Sequence, residues 1–311
     1  MDLELRRIQR DSYEACSKCQ RPYTPGAAVY IGYTLGRQPA WVGDCCREHV
    51  EDLFERFEWQ PRFYQVPSYA AKLWRYVDFA KFTALLRDGG LYFSRVDQLG
   101  DPFELAKGLS ERRAIWEAHN LDYYRNLLRN PPPGVEWSYT DAEIEEEAQS
   151  LLGQAYQSAR QQFQTIYVSC WHENDAESEA LWRLYCSTGP GVALQTSFGR
   201  MLNAFRDEPD IAIGRVEYVD FRQRFANLND AVFRKRSSLS HEREVRAVHH
   251  HFGSCSPKGI VFQVDTSVLI ERVVVSPFAG SWLRDVVSET IQRYGHTFTI
   301  STSELLLEPF F

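Results

Sequence analysis

The character of the chain changes at Thr165, and this change constrains the fold more than any other feature. After it come short alternating or apolar runs: Thr165–Ser169, Gly191–Thr196, Ile213–Val219, Glu244–His249, Gly259–Val264 and Ile270–Val275. Each has the length and period of a strand. One helical segment, Ser178–Cys186, falls among them, and another, Ser281–Tyr294, precedes a last strand near Thr297–Ile300. Before Thr165, residues from about Pro102 to Phe163 have mainly helical spacing, broken by Asn130-Pro-Pro-Pro-Gly134. That run cannot lie inside a helix and marks an exposed loop. Earlier still, Leu73–Val77 reads as a strand and Phe79–Arg87 as a helix stopped by Gly89 and Gly90. Leu91–Ser94 reads as the next strand. Strands gathered late and helices gathered early indicate an α+β domain and not a regularly alternating parallel sheet.

A chain of 311 residues exceeds the usual size of a single core, which predicts a large domain with a small appendage. The formal net charge of -7 argues against electrostatic adhesion along nucleic acid as the main activity. No apolar run reaches the roughly eighteen residues needed to span a bilayer. The start, Met1-Asp-Leu-Glu-Leu-Arg6, lacks a signal-peptide core. The expected location is cytoplasmic, and in a reducing cytosol clustered cysteines more often bind metal than form disulfides.

Four of the seven cysteines lie in the first 46 residues. Cys16 and Cys19 form a tight knuckle, and after the strand-like Ala28–Tyr33 come Cys45, Cys46 and His49. This is zinc-site spacing. Cys46 and His49, three apart at a helix start, share a helix face, so the expected closed tetrahedron is Cys16, Cys19, Cys46 and His49. Cys45 with His49 is the i,i+4 alternative. A segment this short buries little apolar surface, and structural Zn2+ would supply its folding energy. Prolines at 61 and 67 break helical pattern and mark a linker. The expected organisation is a zinc-binding, treble-clef-like module over 1–58, a linker over 59–68 and an α+β domain over 69–311.

Within that domain, Glu242-Arg-Glu244 follows the polar stretch Arg234–His241 and stands where a loop enters a strand, a place where a carboxylate is positioned by backbone and open to ligand. Asp101-Pro-Phe-Glu104 reads as a turn entering a helix, with Asp as cap, Pro at the first position and Glu at the third. Arg246 and Glu104 are candidates for a buried ion pair. The aromatics Trp182 and Tyr185 have the spacing of core packing. His249, His250 and His251 alternate across a strand, which disfavours a metal cluster. No Cys-His-acid set is readable around Cys170 or Cys186.

Leu73-Trp-Arg-Tyr76, Asp101-Pro-Phe-Glu104, Ser169-Cys-Trp171, Leu181-Trp-Arg-Leu-Tyr185 and Glu242-Arg-Glu-Val-Arg246, in this order, resemble the bacterial family called domain of unknown function 2971, over about residues 72–292. Gly100 stands where that family often has Asn. An Arg early, a Ser ending a middle strand and a late Glu-x-Glu are also similar in order to the ADP-ribosyltransferase superfamily. That resemblance implies an ADP-ribosyltransferase-like mixed β-sheet domain with a helical insertion, NAD as substrate and an NAD-dependent effector, a toxin or defence protein, acting on a protein or nucleic-acid acceptor or hydrolysing NAD. A carboxylate beside the ribose stabilises an oxocarbenium-like state, a role the resemblance gives to Glu244, with Glu242 orienting the acceptor. Arg75 would anchor the pyrophosphate through its planar fork, Ser169 would fix the NAD-binding half, and Tyr76 or Trp171 would stack on nicotinamide. The competing expectation is a nonenzymatic ligand- or nucleic-acid-sensing protein whose zinc finger recruits a partner. A third is a hydrolase holding metal on Asp101, Glu104 and Glu242, for which the sequence offers no compact carboxylate pair.

Overall fold

The computed structural model describes residues 6–7, 16, 19, 21, 28–33, 39–43, 45–46, 64–130, 138–186, 189–205, 208, 211–226, 231–251 and 257–311. The expected Pro loop at 131–134 and His49 lie outside these. Near the N-terminus, β1 (Arg6–Arg7), β2 (Ala28–Tyr33) and β3 (Pro39–Gly43) form an antiparallel sheet.

The larger sheet has nine strands among the described residues. It begins with β4 (Lys72–Asp78) and β5 (Gly90–Arg95), joined by α1 (Phe79–Asp88). Asp78 caps that helix by accepting from the Lys81 N–H, and Gly89 ends it at φ 59, a left-handed turn that glycine adopts without strain. Two long helices follow, α2 (Arg113–Arg129) and α3 (Asp141–Thr165). Thr140 and Glu143 close a capping box at the start of α3, a Thr-x-x-Glu signal present in the sequence. Leu128 of α2 packs on Ile144 and Ala148 of α3, while Glu145 and Glu146 stay exposed and Glu147 is half-buried.

Then come β6 (Ile166–Glu173), α4 (Glu179–Cys186), β7 (Gly191–Ser197), α5 (Phe198–Ala204), β8 (Ile211–Arg215) and β9 (Glu217–Val219). The chain continues through β10 (Arg234–Arg236), β11 (Glu244–His250), β12 (Gly259–Gln263), α6 (Thr266–Leu269), β13 (Arg272–Val275), α7 (Trp282–Arg293) and β14 (Thr299–Thr302). The α+β arrangement with a mixed sheet is as expected: β13 pairs β14 in parallel, and the other pairs of this sheet are antiparallel. No described helix is long and apolar enough to cross a membrane.

Three expectations need correction. Arg234–His241 is not simply a loop, because Arg234–Arg236 pairs with Glu217–Val219 as a parallel ribbon and a 3-10 turn follows over Ser237–Glu242. The strand foreseen over Ile213–Val219 is split at Val216 into two strands with different partners. Asp101-Pro-Phe-Glu104 makes its turn, with the Phe103 N–H donating to Asp101 Oδ1 at 3.1 Å, but no helix follows. Leu105 takes φ 57, which ends the helical path, and Glu104 turns inward instead of capping.

The core explains where a polar site can exist. One face of the large sheet, carrying Leu73, Val77, Phe93, Trp171, Leu194 and Val245, is sealed by α1, α5 and α7 into one apolar cluster. The other face carries two separate clusters. Ile166, Val168 and Val248 pack on Val219, Phe221, Val232 and Phe233. Trp74, Tyr76 and Ala193 pack on Leu181, Trp182 and Cys186. Directly paired residues share a face, so Cys170 with Arg246, and His172 with Glu244, form a polar strip between the two.

Candidate functional site

The strip holds a buried ion network. Arg246 has no exposed side-chain surface, and its guanidinium grips Glu104 at 2.7 and 2.8 Å and Glu244 at 2.6 Å. It also donates to the Val232 carbonyl at 2.6 Å. The expected Arg246–Glu104 pair is therefore present, extended by a second carboxylate. Lys235 Nζ lies 3.0 Å from Glu244 and 3.9 Å from Glu104, and it donates to Glu242 as well. Burial alone would raise the Glu244 pKa, but Arg246 and Lys235 outweigh it and hold this carboxyl at about 2. For Arg246, burial lowers and the two carboxylates raise, with the net shift upward. Burial and the neighbouring Glu244 charge push the Cys170 thiol well up, so it is a protonated donor to that carboxylate rather than a nucleophile. Charges taken this far from water are tolerated only when paired and hydrogen-bonded.

Two more polar groups frame the strip. The Glu244 backbone N–H donates to the Tyr218 phenol oxygen at 2.8 Å. His172 Nδ1 lies 2.6 Å from the Glu242 carbonyl, which makes Nδ1 the protonated nitrogen. Burial lowers the His172 pKa, so the ring is neutral near pH 7.

Beside the strip, the sheet forks. β11 occupies one edge of β6 along its whole length. On the other edge, β4 pairs only at His172 and Glu173, and β5 only at Tyr167 and Val168. Ser169, Cys170 and Trp171 have no paired strand there. The Arg75 guanidinium bridges the fork, donating to Ser169 Oγ on β6 at 2.8 Å and to the Tyr92 carbonyl on β5 at 3.2 Å. The Trp171 indole N–H donates to the same Ser169 oxygen at 3.2 Å, and its ring lies 5.7 Å from the guanidinium. Among the described residues Arg75 pairs with no carboxylate. Burial therefore lowers its pKa, with only the Cys170 thiol acting against this. Such a group is a cation lacking its anion.

The structure thus brings Arg75, Ser169 and Trp171 together at the fork and Glu242 and Glu244 together in the ion network, with Cys170 between the two groups. By strand alternation Arg75 belongs to the face of Leu73 and Trp171, opposite Glu244. Arg75 is half-buried there. Tyr76 is separate: its ring sits edge-on to Trp182 at 4.9 Å and its phenol oxygen accepts the Ser178 N–H. Tyr76 and Trp171 are 6% and 2% exposed, so neither offers the open ring face that stacking on nicotinamide requires. The open rings near the site are Tyr92 and Tyr185, 47% and 53% exposed. Desolvation, followed by the charges of Glu242, Cys170 and Glu244, raises Tyr185 to about 12. Lys235 and Cys170 were not foreseen; the period-2 alternation Arg234-Lys-Arg236, which turns Lys235 inward, is the signal that was available.

In the N-terminal segment, the sulfurs of Cys16, Cys19, Cys45 and Cys46 all lie within 4.8 Å of one another. Cys45 joins the set instead of being excluded in favour of Cys46. A tetrahedron with Zn–S bonds of about 2.3 Å has sulfurs about 3.8 Å apart. Cys19 and Cys45 are already at 3.5 Å, so four thiolates of this set fit structural zinc. Desolvation and hydrogen bonds from Cys19 and Cys16 raise Cys45 to about 12, protons that a bound metal would displace.

No protein-family model matches the chain, and no curated protein matches it. Among solved structures it is similar to DarT of Thermus sp. 2.9 in complex with ADP-ribosylated ssDNA, at 12% identity over 78% of this chain and 98% of that one, with a TM-score of 0.34.

Proposed function

We propose that this chain is an ADP-ribosyltransferase-like enzyme that binds NAD at the fork in its central sheet and passes ADP-ribose to an acceptor or to water. The observation that carries the reading is the Arg75 guanidinium, held at the fork by the neutral acceptors Ser169 Oγ and the Tyr92 carbonyl and left without a carboxylate among the described residues. A planar cation held in this way is ready for a pyrophosphate oxygen pair. Tyr92 and Tyr185 supply the open rings that Tyr76 and Trp171 do not. In the reaction the bond from ribose C1′ to the pyridinium nitrogen breaks, nicotinamide leaves with the electron pair, and the acceptor oxygen or nitrogen bonds to C1′ while losing its proton. Glu244, kept ionised by two cations, supplies fixed negative charge for the oxocarbenium-like state. Glu242, with 15% of its side chain exposed against 7% for Glu244, is the carboxylate with access to the acceptor proton.

The test is NAD consumption by purified protein with and without cell extract as acceptor. Arg75→Ala is expected to weaken NAD binding by about tenfold or more, because the lost contact is charge-assisted and present throughout the reaction. Glu244→Gln is expected to abolish turnover while leaving much of the NAD affinity. Wild-type protein that neither binds nor consumes NAD would sink the enzymatic reading. The saturation of Glu244 by Arg246 and Lys235 would then favour the sensing protein with a zinc-bearing recruitment module.

A further inference from the structure

The large sheet ends at β12, which pairs β5 on one side and, among the described residues, no strand on the other. Its register is unbroken from Gly259 opposite Ser94 to Gln263 opposite Gly90. Just beyond its two ends, the Arg95 N–H donates to the Lys258 carbonyl and the Val264 N–H to the Gly89 carbonyl. The main-chain groups of Lys258 and Val264 thus face β5, and by alternation so do those of Ile260 and Phe262. Those of Gly259, Val261 and Gln263 face outward. The edge of β8, by contrast, is met where the Arg215 N–H donates to the Gln65 carbonyl. Sheet proteins blunt an open edge with a charge, a proline or a bulge, and β12 has none of these between Gly259 and Gln263. Ile260 and Phe262 turn toward the sealed apolar cluster. On the other face Val261 lies opposite Tyr92, and the two are 41% and 47% exposed.

We infer that β12 pairs antiparallel with β12 of a second copy of this chain, about a two-fold axis at Val261. That register is self-complementary. Val261 meets Val261, and Gly259 of each copy meets Gln263 of the other, each pair exchanging two N–H···O bonds, about six in all. Pro257, the next outward position, has no N–H and ends the ladder. The Tyr92 ring lies over Gly259, where a Cβ would strike its phenol oxygen. The pairing therefore sets the Gln263 amide of one copy beside the Tyr92 phenol of the other, a donor and acceptor on each side. It also brings the Lys258 end of one strand to the Asp265 end of the other, so unlike charges flank the joint. A joint five residues long is small, which makes the association reversible and dependent on concentration. The inference rests on the sheet edge and not on the NAD reading.

Sedimentation velocity of the reduced full chain, from about 1 to about 100 μM, is expected to show a monomer passing to a dimer. Hydrogen exchange read residue by residue is expected to find the Val261 N–H about tenfold slower in the concentrated sample, while those of Ile260 and Phe262, bonded to β5, are slow at both ends of the range. Val261→Pro removes an N–H that only the second copy uses, at an edge position where proline is tolerated, and is expected to abolish the dimer. Val261→Lys keeps every bond to β5 but sets two like charges at the axis, with the same expected result. Thermal unfolding of dilute protein checks the fold of each variant, and if Val261→Pro does not fold, Val261→Lys decides alone. A chain that stays monomeric over the whole range overturns the inference. So does a dimer that survives Val261→Lys or leaves the Val261 N–H fast, since its joint would then lie elsewhere. A Val261 N–H already slow in dilute protein overturns it too, because the edge would then be covered from within the chain.

Discussion

Arg246 shows how much of this site is structural necessity. Its charge has no exposed surface, so its worth depends on Glu104 and Glu244 being present and ionised. Arg246→Met keeps much of the bulk and removes the charge, leaving two carboxylates with Lys235 as their one cation among the described residues. Breaking a buried pair from one side costs about 3–5 kcal/mol, and chemical denaturation should show a loss of that size; a loss below 1 kcal/mol would mean that the carboxylates reach water. Glu244 also sets an acid limit. Its folded pKa, about 2, lies below its ordinary 4.5. A depressed carboxylate contributes stability that is fully present above its unfolded pKa and is lost as pH falls through the folded one. Stability should therefore fall between about pH 4.5 and 2, and Glu244→Gln should flatten that part of a denaturation series. The sequence disclosed the Arg246–Glu104 pairing as a candidate, since Glu and Arg in an apolar strand and turn need partners. It did not disclose Lys235, because three consecutive basic residues read as a solvated loop until β9 pairs with them and alternation sends one inward.

At the scale of elements, the fork in β6 matters most, and nothing local encodes it. The strands β4, β5, β6 and β11 were each legible from period and composition. That β4 and β5 share one edge of β6 depends on which strands win its two edges, a tertiary outcome no single segment specifies. The same holds for the segment read as a linker. Tyr64 stacks on Phe233 with ring centroids 4.1 Å apart, and the Arg215 N–H donates to the Gln65 carbonyl at 2.7 Å, so the described part of this stretch, from Tyr64 on, packs against the domain. Gly214 of β8 makes the approach possible, because a Cβ there would meet the Tyr64 ring at 2.1 Å. Gly214→Ala is predicted to cost about 1–3 kcal/mol by overpacking. The clash is with one ring, so Tyr64→Ala with Gly214→Ala should be no less stable than Tyr64→Ala alone. A purely additive double-mutant cycle would show that the glycine serves the strand and not the contact.

For the whole molecule, the chain carries two different solutions to the problem of stability. The large sheet buries aromatic and aliphatic side chains on both faces and sustains a charged strip between its clusters. The cysteine segment places four sulfurs within 4.8 Å. Four thiols at that separation have little reason to converge except around a soft cation, because crowding disfavours their ionised forms until a metal replaces the protons. The sequence showed the spacing but not the choice among Cys45, Cys46 and His49, since adjacent cysteines at a turn can both face inward and helix-face arithmetic assumes a helix. Purified, reduced protein is predicted to contain about one zinc per chain. Cys45→Ser should lower that content as strongly as Cys16→Ser, which separates the four-cysteine set from one that omits Cys45. Chelation should remove the metal and expose the N-terminal segment to proteolysis while the unfolding transition of the large sheet stays in place, because the metal's binding energy is folding energy only for the part that it closes. Metal analysis finding no zinc, or full zinc retention in Cys45→Ser, would dismiss the four-cysteine site; a large sheet that unfolds on chelation would tie the two parts into one cooperative unit.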